Sequence, residues 1–107
     1  MPKKQYIVFR AELVDEEYHG FHYRVKNFGT SWSACVCVDV TELGKRGCDI
    51  GIIKGLPIGW ACLPILNCIS WMPENPAESP RRRTTAEIVA ECKDIIDQIA
   101  EMAGIAE

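Results

Sequence analysis

The 107-residue chain carries no glycine-rich nucleotide loop, no His-Glu-x-x-His helix, no Gly-x-Ser-x-Gly elbow and no carboxylate pair in an apolar setting. These absences remove the usual sequence signatures of phosphoryl transfer, zinc proteolysis, serine hydrolysis and glycoside cleavage, so no enzymatic activity is expected. Positive charge is not in excess either. Twelve Lys and Arg against fifteen Asp and Glu give a net charge of -3, which is too balanced for nucleic-acid binding by electrostatics alone. There is no Asn-x-Ser/Thr acceptor, internal repeat or low-complexity tract, and no linker long enough to separate folding units. A single domain over 1–107 is therefore expected.

A long apolar run near the N-terminus is also missing. Tyr6 to Phe9 is interrupted by Arg10, too little for the hydrophobic region of a secretory signal, and a cytoplasmic location is the expectation. The six cysteines then read as reduced thiols serving as small apolar groups rather than as disulfide staples. Between Gly55 and Met72 no residue is charged, and the run approaches the length of a membrane span. Pro57 and Pro64 break an isolated helix, and Gly55, Gly59, Asn67 and Ser70 dilute its hydrophobicity. The segment reads as buried core plus an exposed apolar patch, not as a membrane element.

What is present is material for one core. Apolar residues make up 48% of the chain, and a chain of this size buries about two-thirds of its unfolded surface. Residues 6 to 14 alternate, with Ile7, Phe9, Ala11 and Leu13 on one face, and Asp15-Glu16-Glu17 reads as a polar break. Residues 19 to 26 alternate again around Phe21, Tyr23 and Val25, a turn follows at Asn27-Phe28-Gly29-Thr30, and residues 31 to 41 carry Trp32, Ala34, Val36, Val38 and Val40 on one face. A first loop centred on Glu16 sets Phe9 opposite Tyr23. A second centred between Phe28 and Gly29 sets Val25 opposite Trp32 and His22 opposite Cys35.

Gly44-Lys45-Arg46-Gly47 reads as a hairpin turn and Asp49 to Lys54 as a fourth strand, with a fifth strand or a short buried helix near Ile65 to Ser70. Residues 72–83 form a Pro/Arg-rich loop leading into a helix over 84–104. Thr84 and Glu87 make its capping box, Ile88, Cys92, Ile95, Ile96, Ile99 and Ala103 its apolar stripe, and Gly104 its stop. The expected fold is α+β: an antiparallel sheet of four or five strands, beginning with a three-stranded meander, and one amphipathic C-terminal helix packed on one face.

Three groups of residues are candidates for function. His22, Cys35 and Cys37 share a sheet face and, if Cys48 folds back, make a four-ligand soft-metal set for which zinc is the fitting ion. The C-x-C spacing is not a zinc knuckle, so no cofactor is expected. A Cys nucleophile with His22 as its base lacks an orienting third group in the sequence. Arg81, Arg82 and Arg83 precede a helix N-terminus, against the macrodipole, where they suit an acidic or phosphorylated surface. Trp60 and Trp71 lie within the uncharged run and are of a residue type enriched at interface hot spots. Together these features point to a protein-binding module that occludes a partner's surface. It would be an adaptor or inhibitor of the kind mobile genetic elements encode, with Arg81, Arg82, Arg83, Trp60 and Trp71 as its contacts. The competing expectations are a metal or thiol protein and a homodimer joined through Trp60–Trp71.

Overall fold

Alternating side chains build a sheet whose inner face is closed by one helix. The computed structural model describes residues 11–73 and 84–104. In chain order the elements are β1 (Glu12–Tyr18), β2 (Phe21–Asn27), β3 (Trp32–Asp39), α1 (Val40–Lys45), α2 (Ile50–Lys54), β4 (Trp60–Ile65), β5 (Cys68–Pro73) and α3 (Thr85–Met102). The five strands form one sheet in the order β1-β2-β3-β5-β4, and every pairing is antiparallel. The expected α+β architecture is the one observed.

The third strand keeps its expected parity, with Ala34, Val36 and Val38 buried beside Phe21, Tyr23 and Val25 of β2. The second turn lies further along than expected, so Val25 pairs with Ala34 and Tyr23 with Val36. A slip of two positions preserves which face each side chain occupies. Phe28 N–H donates to the Ser31 carbonyl at 2.8 Å and closes this loop, while Gly29 takes a φ of 84°.

The first strand departs more. Asp15-Glu16-Glu17 is not a break but the centre of β1, and the turn is the two-residue His19-Gly20, with φ values of 52° and 82°. Positive φ at both central residues is the hairpin geometry that matches strand twist. Tyr18 therefore pairs with Phe21 and Glu16 with Tyr23, which inverts the expected faces: Leu13 points to water, 67% exposed. An edge strand tolerates this acidic run because its outer side chains are solvated. Phe9, expected opposite Tyr23, lies outside the described residues.

Gly44–Gly47 and Asp49–Lys54 are also corrected. They are not a hairpin turn and a strand but the end of α1 and the whole of α2. Asp39 accepts from Thr41 N–H at 2.7 Å and Asp49 from Gly51 N–H at 2.8 Å, so each aspartate caps a short helix. Leu43 and Ile53, one from each helix, plug the core at 0% and 1% exposure. The chain then returns as a hairpin, β4 and β5, about the two-residue turn Leu66-Asn67, and β5 inserts beside β3. Met72 and Pro73 belong to β5 rather than to a loop; the rest of the expected 72–83 loop falls outside the described residues.

Helix α3 forms as its sequence predicts. Glu87 N–H donates to Thr84 Oγ1 at 3.1 Å, the N-cap half of a capping box, while the Glu87 carboxylate accepts from the Thr84 hydroxyl at 3.1 Å rather than from its backbone N–H. Ile88, Cys92, Ile95, Ile96 and Ile99 are buried, and Gly104 leaves the helix at a φ of 65°. The stripe lies on the inner face with Phe21, Tyr23, Val36, Ile69 and Trp71 in one cluster. No helix among the described residues is long and apolar enough to cross a membrane.

Polar ties also lie along the inner face, the shortest of them between β1 and β2. The Tyr23 hydroxyl donates to Glu16 Oε2 at 2.7 Å, and burial, then the Glu16 hydrogen bond and charge, push the phenol from 10.0 up to about 12. An acid whose folded value is raised contributes fully while both states are protonated and loses that contribution as the unfolded chain ionises first. Stability is therefore expected to fall as pH rises from 10.0 towards about 12, with the raised thiols adding to the loss. Tyr23→Phe is expected to cost about 1 kcal/mol at neutral pH and to flatten part of the alkaline slope, read by urea unfolding at stepped pH.

Candidate functional site

Helix α3 covers one face of the sheet, and the residues pointing the other way are all exposed or half-buried. From β1 to β4 this outer face runs from charged to apolar. It begins with Leu13, Asp15, Glu17, His22, Arg24 and Lys26, passes through Cys35, Cys37, Asp39 and Cys68, and ends on Met72, Leu63 and Ile65. Two features of this face bear on function.

The first is the thiol region. The register sets His22 opposite Cys37, not Cys35, and Arg24 opposite Cys35. Asp15 supplies what the sequence alone did not, an orienting carboxylate: Oδ1 contacts His22 Nε2, and Oδ2 lies 3.3 Å from Arg24 Nη2. A depression of about 470 Å³ beside them is lined by Glu17, His22, Cys37, Asp39, Glu42 and Cys68, among others.

The electrostatics do not favour a nucleophile there. Burial foremost, then the neighbouring Cys35 and Cys68 and the Asp15 carboxylate, push the Cys37 thiol above its ordinary 9.0, with only Arg24 opposing. A thiolate is the reactive form, and this setting disfavours it at neutral pH.

The metal set does not assemble. Cys48, expected to fold back onto His22, Cys35 and Cys37, instead packs against the core between α1 and α2, and its thiol is pushed up by burial. Among the described residues no group of three or more His, Cys, Asp or Glu side chains is placed to hold a metal ion.

The second feature is the β4–β5 hairpin. Trp60 and Trp71, expected at a partner surface, are core residues at 7% and 1% exposure. Both point to the helix side, where a small domain needs their area. The exposed apolar area of the uncharged run belongs to their neighbours: Leu63 at 40%, Ile65 at 55%, Leu66 at 98% and Met72 at 38%. The turn leaves a depression of about 530 Å³ between Ile65, Leu66 and Cys68 on one side and Cys37 and Asp39 on the other. Alternation in 60–73 was the signal that would have separated these residues from the tryptophans. Arg81, Arg82 and Arg83 lie outside the described residues.

No protein-family model matches the chain, and no curated protein or solved structure matches it.

The Cys37 environment generates a direct check. The half-point of its alkylation rate against pH, followed by peptide mass spectrometry with iodoacetamide, is expected above 9.0. Asp15→Asn is expected to move that half-point down, because it removes a carboxylate that raises the value and releases Arg24, which lowers it.

Proposed function

We propose that the protein is a small binding module, an adaptor or inhibitor without chemistry of its own, which occludes a surface of a protein partner with the outer face of its β4–β5 hairpin. The observation that carries this reading is Leu66. Its side chain is 98% exposed and its backbone holds a φ of 49°, a conformation that costs a residue with a Cβ roughly 1–2 kcal/mol. A two-residue turn of this kind normally takes Gly, Asn or Asp at such a position. Leucine there meets an unfavourable backbone and an unfavourable solvent contact together. Strain of this kind persists where it serves something outside the fold.

Leu66 does not stand alone. Ile65, Leu63 and Met72 continue the apolar surface from the turn along the outer face, and no charged side chain interrupts β4 or β5. The raised Cys37 value extends this neutrality, since a protonated thiol behaves as a small apolar group. A partner would offer an apolar ridge to the hairpin, with Asp39 as the one carboxylate lining the depression there. Arg81, Arg82 and Arg83 would add a cationic contact to an acidic part of the same partner.

Leu66→Asn separates folding from function. Asparagine tolerates the left-handed region, so the variant is expected to be more stable by about 1 kcal/mol, a rise in Tm of roughly 4–8 °C. It should at the same time lose most of its affinity for whatever wild-type protein retains specifically in affinity capture from its native cell. A variant that is stabilised and still retains the same partner at wild-type strength removes the basis of the proposal.

A further inference from the structure

The hairpin that carries the apolar face also ends the sheet, and the hydrogen-bond register fixes what its free edge offers. The two-residue turn closes on Ile65 and Cys68, so Ile65, Leu63 and Ala61 exchange their backbone bonds with β5. The bond from Val40 N–H to the Asn67 carbonyl at 2.7 Å sets the complementary phase between β5 and β3. The backbone groups of Trp60, Cys62 and Pro64 consequently point away from the sheet. Pro64 sits where its missing N–H costs the hairpin nothing. Among the described residues no strand pairs with this edge.

We infer that β4 is a self-association edge, and that its occupant is β4 of a second copy of this chain in two-fold antiparallel pairing about Cys62. Charge decides between the two edges of the sheet. On β1 the outward backbone positions are Leu13, Asp15 and Glu17, in a strand that also carries Glu12 and Glu16. Two copies paired there oppose carboxylate to carboxylate, which is destabilising. Pairing β4 of one copy with β1 of the next would continue as an open chain rather than close. On β4, Trp-Ala-Cys-Leu-Pro-Ile carries no charge, and it is the edge on which the chain meets itself without like-charge opposition.

The register centred on Cys62 engages all three outward positions. Cys62 of each copy exchanges both backbone bonds with its counterpart, and each Trp60 N–H donates to the Pro64 carbonyl of the other copy. The donor that proline lacks is then absent only at the two ends of the new ladder. On the outer face, Leu63 of each copy lies beside Ala61 of the other and diagonal to the other Leu63, so that its 40% exposure falls on pairing. The two sheets become one continuous ten-stranded sheet with a closed, isologous junction. This inference rests on the backbone edge of the hairpin, shares only Leu63 with the apolar surface above, and does not require the binding reading.

Light scattering coupled to size exclusion tests it on the purified full chain at about 100 µM. Wild type is expected at twice the 12.0 kDa chain mass. Cys62→Pro removes the outward N–H without touching a bond to β5 and is expected to run as a monomer. Leu13→Pro, the same change at an outward position of the other edge, is expected to remain a dimer. Because Cys62→Pro also alters a half-buried side chain, Leu63→Lys serves as a second variant: it sets like charges across the two-fold on an already exposed position and is expected to be monomeric. Amide exchange supplies an independent reading, with Trp60 and Cys62 N–H protected in wild type and exchanging faster in Leu63→Lys. A monomeric wild type overturns the inference, and so does a dimer that persists in Leu63→Lys with unprotected Trp60 and Cys62 amides. A monomeric wild type that still loses its captured partner with Leu66→Asn overturns the dimer alone and leaves the binding reading standing.

Discussion

The structure depends on one amphipathic helix having to close a five-stranded sheet. Ile88, Cys92, Ile95, Ile96 and Ile99 form a single stripe, which packs across β2 and β3 and reaches β1. The largest fully buried side chains, Trp71, Tyr23 and Phe21, come from β5 and β2. Strand β1, at one margin, has only Val14 and Tyr18 partly buried against the core. The tie from Tyr23 to Glu16 and the bond from Tyr18 to Asp97 at 3.1 Å hold this margin down with polar contacts where apolar area runs short.

Having one helix also leaves one sheet face wet. The outer face meets that condition differently at its two sides. Towards β1 it is charged, with Asp15 bridging His22 and Arg24. Towards β4 it is apolar, with Leu63, Ile65 and Met72 exposed. The thiols of Cys35, Cys37 and Cys68 lie between the two. Such a gradient is not what solubility alone would select, since exposed contiguous apolar area is a liability unless something covers it.

Two independent costs converge on the same hairpin: the positive φ of Leu66 and an uncharged β4 edge that no strand among the described residues pairs with. Natural sheets guard an edge with charge, and β1 does so with four carboxylates in seven residues. Within β4 only Pro64 removes a donor, and among the described residues no strand takes up the outward groups of Trp60 and Cys62. The contrast between the edges is the physical reason to look for association at β4 and for solvent at β1.

Local sequence determined the elements whose signals are strong and short-range. The Thr84 and Glu87 capping box, the α3 stripe and the alternation from Phe21 to Val38 each follow from spacing, and they sufficed for the α+β class. The sequence did not determine the register of β1, because a charged run reads as a break unless the strand is known to lie at a solvated edge. It did not disclose α1 and α2 either, since helices of six and five residues are too short for a helical period to show. Tertiary packing decided the candidate site. Uncharged sequence from Gly55 to Met72 carries no label for inside or outside, and only the pairing of β5 with β3 turned Trp60 and Trp71 into the core and Leu63, Ile65 and Leu66 into the surface. That assignment depends on which face the single helix covers, a long-range contact that no local pattern encodes.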